Sequence, residues 1–386
     1  MSDLKRRIEQ EVRNFEISPD LFDRTKRLSA RRERRRKIRV TAVALLVAAS
    51  GTSVAWFALR PLHPIPLASG GSKTPSTAAS GPLIGKIVLA GATTDVANHG
   101  AGVVPQIMEM DPGSTTGKIV APSPYPQWDP AVSPDGTKIA YRGYFGPEEG
   151  DYDLYLVNAD GTGITRLTKD ALADSPSWSP DGSQLAFASS GSGGVPGSVV
   201  GRALIEVINA DGSGLHPLTD PPDAAEDSAP AWSPDGTRVA FVRLTPAEGF
   251  QIYTIRADGT DLTKLTSIPG EKSNPSWSPE GNMIAFRDTR QGEPSQIYVV
   301  AADGGAPTQL TRTPGNSTNP VWIDEARIAF VYQEPEGTLL QGPTNQIRTI
   351  SPEGSDVTVI SSSDQSPLSG EGGQFVPTFD WRVAGG

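Results

Sequence analysis

The 386-residue sequence contains no cysteine and only three histidines. Without cysteine the chain forms neither disulfides nor thiolate metal sites, and it has no cysteine nucleophile. The histidines, His63, His99 and His216, are scattered, so neither a zinc site nor a Ser-His-Asp triad is indicated. The motif G-x-S-x-G is also absent. We therefore expect no catalytic residues, no resident metal and no cofactor.

What the sequence does have is an internal repeat. The octapeptide SPSWSPDG at 175–182 returns as APAWSPDG at 229–236 and NPSWSPEG at 274–281. DPAVSPDG at 129–136 and NPVWIDEA at 319–326 are weaker copies, and successive copies start 45 to 54 residues apart. This period is typical of a four-stranded propeller blade.

Each octapeptide reads as a strand that ends in a turn. Proline suits a strand position that needs no backbone donor, and S-P-D-G has the residues of a tight turn. The tryptophans supply large apolar surfaces that we expect to pack between blades. These residues are Trp178, Trp232, Trp277 and Trp322.

Three further strands follow each octapeptide, as in TRVAFVR, QIYTIRADG and LTKLT at 237–266. Before the first full unit, residues 85–123 match only the second, third and fourth strands. FVPTFDW at 375–381 supplies the missing one, with Pro377 and Phe379 at the Pro and Trp positions. The sequence therefore predicts an all-β, six-bladed propeller over 84–382, whose C-terminal strand closes the first blade.

The unit xPxWSPDGxxIAFxS…xIYxxxADGxxxxxLT resembles the TolB-type propeller repeat, which also occurs in tricorn protease and the prolyl oligopeptidases. The resemblance covers about residues 82–382 and implies a bacterial propeller. Blades two and six depart from the pattern at Val132 and at 323–325. The separate N-terminal α/β domain of TolB is missing, so TolB's own partners are not implied.

Charge is distributed unevenly along the chain. Residues 1–60 carry 15 Lys and Arg against 7 Asp and Glu, a net charge of +8. Because the net charge of the whole chain is −10, residues 61–386 carry −18. The basic run at 31–39 precedes 20 uncharged residues at 40–59, enough for a transmembrane helix. A retained signal anchor is expected, with the N-terminus cytoplasmic and the propeller extracytoplasmic in the cell membrane. A cleaved signal peptide and a buried core helix are the alternatives.

The segments on either side of residues 40–59 differ in character. Residues 60–83, rich in Pro, Gly and Ser, read as a linker. Residues 1–39 read as a partly helical basic cytoplasmic segment, whose 31–39 stretch attracts anionic lipid. Residues 1–37 could also dock a cytoplasmic regulatory partner, since they resemble segments of membrane-anchored regulators. No nucleic-acid partner is expected.

Candidate ligand-binding residues lie on the face that carries the variable second-to-third loops and the blade crossings. Residues just before each P-x-W should converge at the channel mouth, where they could bind a cation, a basic peptide or a sugar, or only cap the strands. A calcium ion is one option, since it needs six to eight oxygens. The channel candidates are Asp129, Asp174, Asp227, Asn274 and Asn319. The loop candidates are Tyr144, Phe145, Glu148, Glu149, Asp151, Asp223, Glu226, Glu334 and Glu336.

Three functions remain open from the sequence. The first is a membrane-anchored scaffold that binds an envelope protein or glycan, which best suits a complete scaffold with no nucleophile. The second is a transmembrane signalling regulator, in which the propeller senses a ligand and the cytoplasmic segment responds. The third is an enzyme that uses channel carboxylates on envelope polysaccharide, although fold analogy alone supports it weakly.

Overall fold

The structure is a computed structural model that describes residues 85–92, 104–114, 117–144, 152–169, 171–190, 202–335, 345–362 and 379–382. All regular secondary structure in these ranges is β-strand. No helix within them is long and apolar enough to cross a bilayer. The segments 1–39, 40–59 and 60–83 lie outside the described residues, so the anchor and its linker stay predictions.

Six antiparallel sheets of four strands each confirm the predicted six-bladed propeller. Blades 2 to 6 each use four consecutive strands, whereas blade 1 combines β24 with β1, β2 and β3. Blade 1 contains β1 (Lys86–Ala92), β2 (Pro105–Met110), β3 (Lys118–Ile119) and β24 (Phe379–Arg382); blade 2 contains β4 (Gln127–Val132), β5 (Lys138–Tyr144), β6 (Tyr152–Asn158) and β7 (Thr165–Arg166); blade 3 contains β8 (Ala173–Trp178), β9 (Gln184–Ser189), β10 (Leu204–Asn209) and β11 (His216–Pro217). Blade 4 contains β12 (Glu226–Trp232), β13 (Arg238–Thr245), β14 (Gly249–Arg256) and β15 (Thr263–Lys264); blade 5 contains β16 (Glu271–Trp277), β17 (Met283–Thr289), β18 (Gln296–Ala301) and β19 (Thr308–Gln309); blade 6 contains β20 (Asn316–Asp324), β21 (Arg327–Gln333), β22 (Asn345–Ile350) and β23 (Thr358–Ser362).

The C-terminal strand closes the ring as predicted, but two residues out of the expected alignment. Trp381 pairs with Ile87 on β1, just as Trp277 pairs with Ile284 in blade 5. Trp381, and not Phe379, therefore occupies the Trp position of blade 1. The alignment on Pro377 was wrong because Phe379 stands where the other blades have their proline.

The hydrophobic core lies between blades. In one cluster Val242 and Ile252 of blade 4 pack with Ile284 and Phe286 of blade 5, and all four are buried. Alternating side chains of a central strand point to opposite sheet faces, so each blade contributes to the core on both sides. No blade buries its apolar surface alone, which ties the stability of the ring to its completeness.

The S-P-D-G turns are held by their aspartates. In blade 3 the Asp181 carboxylate accepts hydrogen bonds from the Ser179 hydroxyl (2.6 Å) and the Ser183 amide (3.0 Å). Gly182 takes a φ of 70°, which glycine adopts freely. Hydrogen bonds from Ser179 and then from Ser183 lower the pKa of Asp181. Asp135 and Asp235 repeat this arrangement, as expected for structural turn formers.

The recurring L-T of each fourth strand also has a structural role. In blade 5 the buried Thr311 hydroxyl accepts a hydrogen bond from the Ile297 amide (2.8 Å) and donates one to Gln296 Oε1 (2.7 Å). Thr266 does the same with Ile252 and Gln251 in blade 4. The hydrogen bonds of this threonine therefore connect the end of the short fourth strand to the third strand.

Because the pKa values of the turn aspartates are lowered, we expect the propeller to lose stability in acid. Because these carboxyls bind protons less readily in the native than in the unfolded chain, their stabilisation is present above the unfolded pKa, near 4, and is lost as pH falls through the native pKa. The triple variant Asp135→Asn, Asp181→Asn and Asp235→Asn keeps an acceptor oxygen but removes the titration. We expect its urea midpoint to fall less than that of wild type between about pH 5 and about pH 3. The exposed Asp303→Asn serves as the control, and an unchanged pH dependence in the triple variant would contradict the assignment.

The threonine bridge can be tested by an isosteric change. Thr311→Val leaves the buried Ile297 amide without its acceptor, while Gln296 Oε1 keeps the Thr313 amide as a donor, so we expect a loss of about 1–3 kcal/mol in the free energy of unfolding. Thr308→Val, an exposed position on β19, should change it by less than about 0.5 kcal/mol. Urea unfolding of both variants measures the difference, and equal effects would rule out the bridge.

Candidate functional site

The inner strands of five blades share one unusual backbone feature. The residue directly before the P-x-W proline has a left-handed conformation although none is glycine. Proline cannot continue the ladder, and each strand forms a β-bulge at this point. Left-handed backbone costs a non-glycine residue about 1–2 kcal/mol, so the surrounding ring must hold it in place. These residues are Asp129, Ser175, Ala229, Asn274 and Asn319, with φ from 49° to 52°.

The five left-handed residues line a cavity on the propeller axis. Its volume is about 410 Å³, within the range of small-ligand sites. All six blades contribute to its wall, which runs from the bulges to the prolines of the S-P turns. Besides the five, the lining includes Pro130, Ala131, Val132, Pro134, Pro176, Ser177, Trp178, Pro230, Ala231, Trp232, Pro234, Pro275, Ser276, Trp277, Ser278, Pro279, Pro320, Val321, Trp322, Phe379 and Asp380.

The polar side chains of the cavity are carboxylates, amides, serine hydroxyls and indoles. Two carboxylates, Asp129 and Asp380, come from the adjacent blades 2 and 1, and the side-chain amides of Asn274 and Asn319 come from blades 5 and 6. Among the lining residues there is no Lys, Arg or His. The cavity can therefore accept hydrogen bonds and attract positive charge.

The residues directly after the P-x-W proline position form one layer around the axis, called here the layer after the proline. Small polar side chains in this layer connect neighbouring blades. The Ser177 hydroxyl accepts a hydrogen bond from the Trp232 amide of the next blade (3.0 Å), and Ser276 accepts one from the Trp322 amide (3.2 Å). Asp380 occupies this layer in blade 1 and accepts from the Val132 amide at 2.7 Å. Its carboxylate thus belongs both to the cavity and to the joint between blades 1 and 2.

The four repeat tryptophans lie between blades and also reach the cavity wall. The indole N–H groups of Trp178 and Trp277 donate to the Ala131 and Ala231 carbonyls at 3.0 and 2.9 Å. Those of Trp232 and Trp322 are buried and find no acceptor within the described part of the chain. All four tryptophans are among the residues that line the cavity.

The predicted channel candidates divide into two groups. Asp129, Asn274 and Asn319 line the cavity, whereas Asp174 and Asp227 do not. The difference is one of register, since Asp174 lies two residues before its proline and Asp227 lies three before. Asp174 and Asp227 precede the bulge, and Ser175 and Ala229 take the axial positions of their blades.

Asp227 is fully buried in an ion pair. Both of its oxygens accept from the Arg243 guanidinium, at 2.6 and 2.7 Å, and Arg243 also lies 5.4 Å from the ring centres of Phe241 and Tyr253. Blade 5 has a similar pair with reversed polarity, Lys272 with Asp288 at 3.1 Å. Burial lowers the pKa of Lys272, and Asp288 partly offsets this effect. Because the Asp227 carboxylate is buried and bonded to Arg243, it is not available to a ligand.

Asp174 belongs to a half-buried cluster around Arg142. The guanidinium lies 3.1 Å from Asp174 and 3.2 Å from Asp129, and its carbon is 5.0 Å from the Trp128 ring and 5.1 Å from the Tyr152 ring. The cluster therefore holds a cation between two aromatic rings and two carboxylates. The aromatic residues had no part in the predicted site, although W-D-P at 128–130 places them beside the first bulge.

The loop candidates are only partly described. Tyr144 continues the Arg142 cluster by packing against Trp128 at 5.5 Å. Asp223 and Glu226 are exposed, and Glu334 is half-buried. Phe145, Glu148, Glu149, Asp151 and Glu336 lie outside the described residues and stay predictions.

The predicted calcium option finds no support in the described residues. No group of three or more His, Asp or Glu side chains there could hold a metal ion. Calcium prefers several carboxylates among its six to eight oxygen ligands, and the cavity lining has two, beside asparagine and serine side chains. His216 lies on an outer strand, where Nδ1 is 2.8 Å from the Gly214 carbonyl.

Comparisons with known proteins agree on the fold. A family model described as the TolB beta propeller domain matches residues 223–375. Protein TolB homolog of Chlorobium luteolum is 30% identical over 113 residues, 29% of this chain and 23% of that protein. Uncharacterized peptidase YuxL of Bacillus subtilis is 34% identical over 128 residues, 32% of this chain and 18% of that protein.

A solved structure is similar over a longer stretch. TolB from Acinetobacter baumannii superposes with a TM-score of 0.56 at 22% identity, over 78% of this chain and 67% of that one. At this identity the similarity concerns the fold. The curated relatives are matched over only 13 to 33% of their lengths.

The two aspartates outside the cavity should respond differently to substitution. Asp227→Ala leaves a buried, uncompensated Arg243, so we expect a loss of about 3–5 kcal/mol in the free energy of unfolding. Asp174→Ala removes a partly exposed partner of Arg142 and should cost less than about 1 kcal/mol. Chemical unfolding of both variants decides this, and similar losses would contradict the assigned roles.

Proposed function

Because the chain belongs to the TolB-type β-propeller family, we propose that it is a binding module of the bacterial cell envelope that recognises a protein partner at the propeller axis. The observation that carries the proposal is the axial cavity, to which every blade contributes and whose lining includes indoles, amides and carboxylates. A rigid scaffold with a concave site at its centre is a common arrangement for recognition.

Binding suits this site better than catalysis does. Of the carboxylates that a channel enzyme would use, Asp227 is buried against Arg243 and Asp174 is paired with Arg142. Two curated relatives carry peptidase names, YuxL and Dipeptidyl-peptidase 5 of Porphyromonas endodontalis, but the similarity spans 18% and 13% of their lengths. Their activity is therefore not carried over to this chain.

Membrane attachment is part of the proposal and rests on the sequence. The uncharged run at 40–59, preceded by seven Lys and Arg between 31 and 39, is typical of a signal anchor with a cytoplasmic N-terminus. The linker 60–83 would then hold the propeller away from the bilayer outside the cytoplasm.

Topology can be tested on cells that produce the full-length protein. We expect it in the membrane fraction, with the propeller degraded by protease only after the outer barriers of the cell are opened and the cytoplasmic membrane is left intact. A propeller that becomes accessible only after lysis of the cytoplasmic membrane would contradict this orientation.

Partner recognition can be tested with a backbone-matched pair of variants. Glycine tolerates the left-handed conformation, so the double variant Asn274→Gly and Asn319→Gly should remove both cavity amides without disturbing the bulges. Ala229→Gly changes the equivalent position of blade 4 and removes only a methyl group. We expect an envelope protein to co-purify with the wild-type full-length chain in mild detergent and with Ala229→Gly. Its recovery should fall at least about tenfold with the double variant, equivalent to about 1.4 kcal/mol. Equal recovery with both variants, or no envelope protein with wild type, would refute the proposal.

A further inference from the structure

Arg287 is a half-buried arginine to which the described part of the chain offers no acceptor. It lies on β17 of blade 5 and pairs with Ser273 on the inner strand. Its Nε is buried and meets no hydrogen-bond acceptor, and its guanidinium makes no ion pair with the described residues. Neither terminal nitrogen is fully buried, so the end of the guanidinium is open to solvent. Burial lowers the pKa of Arg287, and the negative charge of Glu271 partly offsets this effect.

Arg142 occupies the same position in blade 2, and there the chain supplies partners. It pairs with Trp128, the last inner-strand residue before the β-bulge, just as Arg287 pairs at the bulge of blade 5. Its guanidinium lies 3.2 Å from Asp129 and 3.1 Å from Asp174, and its carbon is 5.0 Å from the Trp128 ring. In blade 2 this position therefore holds a guanidinium between carboxylates and aromatic rings.

Neutral side chains replace these partners around Arg287. At the positions equivalent to Trp128, Asp129, Tyr152 and Asp174, blades 5 and 6 have Ser273, Asn274, Ser295 and Thr318. The Ser273 hydroxyl already donates to Asn274 Oδ1 at 2.8 Å, and the hydroxyls of Ser295 and Thr289 are bonded to each other at 2.7 Å. Two carboxylates and two rings are thus exchanged for small polar groups, and the charge of Arg287 has no counter-ion in contact among the described residues.

The side chain lies on the sheet face that turns towards blade 6. Ala285, two residues earlier on the same strand, packs with Ile328 and Phe330 of blade 6, and alternate residues of a strand share a face. Arg287 is not among the residues that line the axial cavity. Its position between the two blades is therefore separate from the cavity lining.

An unpaired guanidinium at such a position favours an anion from outside the chain. Burial of a charge without a counter-ion is unfavourable, and binding of an anion relieves this cost. The planar guanidinium can hold a carboxylate through two parallel N–H···O hydrogen bonds.

We propose that Arg287 anchors a carboxylate-binding site between blades 5 and 6. This site goes beyond the proposed function and does not require it. The incoming carboxylate accepts hydrogen bonds from the guanidinium and takes the place that Asp129 and Asp174 have around Arg142.

A singly charged carboxylate suits the site better than a phosphate does. The exposed Glu271 carboxylate already adds negative charge near Arg287, and it repels a doubly charged group more strongly. In blade 2 the chain itself uses carboxylates to hold the equivalent arginine.

The test follows the reactivity of individual arginines in the full-length protein. Phenylglyoxal modifies accessible guanidinium groups, and peptide mass spectrometry gives a rate for each arginine. Because Arg142 is paired with two carboxylates, we expect Arg287 to react at least about fivefold faster.

Acetate is the probe for the site itself. When about 100 mM sodium acetate replaces sodium chloride at constant ionic strength, the rate at Arg287 should fall at least about threefold, equivalent to a dissociation constant of about 50 mM or below. The control is Arg312, an exposed arginine with no ion pair to the described residues, whose rate should change by less than about 1.5-fold. Sodium phosphate at the same ionic strength should protect Arg287 less than acetate does.

Asn274→Asp supplies the missing carboxylate from within the chain. Asn274 and Asp129 have φ values of 51° and 52°, so the new carboxylate should lie beside Arg287 as Asp129 lies beside Arg142. We expect Arg287 in this variant to react as slowly as Arg142 and to lose its protection by acetate. Ala229→Asp makes the equivalent change in blade 4, where the second strand has Val242 instead of arginine, and should leave both properties of Arg287 unchanged.

A stability comparison tests the site without any ligand. Arg287→Met removes the unpaired charge and keeps an apolar stem, so its thermal midpoint should equal or exceed that of wild type. Arg142→Met removes the paired guanidinium of blade 2 and should lower the midpoint by about 2 °C or more. Equal losses in the two variants would show that Arg287 has a structural partner and would overturn the site.

The outcomes separate the two proposals. Labelling of Arg287 no faster than that of Arg142, or equal acetate effects at Arg287 and Arg312, would overturn the carboxylate site whether or not an envelope protein is captured. Labelling of Arg287 that is unchanged in a folded Asn274→Asp variant would overturn it as well. If acetate protects Arg287 but no envelope protein co-purifies, the proposed function fails and the carboxylate site stands.

Capture with Arg287→Met identifies the source of the carboxylate. A recovery of the envelope protein that falls at least about tenfold assigns the carboxylate to an acidic side chain of that partner. Unchanged recovery, together with acetate protection of the wild-type Arg287, assigns it to a free carboxylate ligand.

Discussion

The pairing of β24 with β1 is the constraint on which the propeller depends. The cluster at the closing joint combines Ile87, Leu89 and Phe379 of blade 1 with Ala329, Val331 and Ile347 of blade 6. An open ring would expose this interface on both blades, and its sheet edge would stay unpaired. Closure also brings Asp380 to the axis. One short strand, Phe379–Arg382, thus completes a sheet, an interblade core and the cavity wall.

Around the axis, joints between blades alternate between two kinds of contact. Where the layer after the proline has serine, as at Ser177 and Ser276, the hydroxyl accepts a hydrogen bond from the backbone amide of the next blade's tryptophan. Where it has alanine, as at Ala131 and Ala231, the indole of that tryptophan donates to the alanine carbonyl instead. In each arrangement one N–H group of the tryptophan finds an acceptor in the preceding blade. The residue at this layer can therefore differ between blades while a hydrogen bond between the blades is kept. Aspartate at position 380 extends the first kind of contact and adds a charge.

The repeat made most of the fold predictable from the sequence. Spacing, S-P-D-G turns and period-two strands gave six blades, and the tryptophans lie between blades as their size suggested. The site was less predictable, because a β-bulge adds one residue that no local pattern reveals. On the N-terminal side of the proline, the cavity lining begins at the residue immediately before it, so Asp174 and Asp227, one and two positions earlier, were misplaced. Asp380 was missed for a related reason, since the alignment on Pro377 shifted the closing strand by two residues. The Arg142 cluster depends on side chains from four strands, β4, β5, β6 and β8, which no spacing in the sequence brings together.

The chemistry of the axis comes from departures from the repeat rather than from the repeat itself. Five blades place a left-handed residue and a proline at the same depth, and that scaffold alone would give a nearly neutral ring. Asp129 and Asp380 break this uniformity in blades 2 and 1, whereas blades 5 and 6 contribute the neutral amides of Asn274 and Asn319. The cavity therefore has a charged side and a neutral side, although its walls repeat the same tryptophan and proline. The repetitive scaffold thus carries charge on its axis through two aspartates in neighbouring blades, Asp129 directly before the proline and Asp380 in the layer after it.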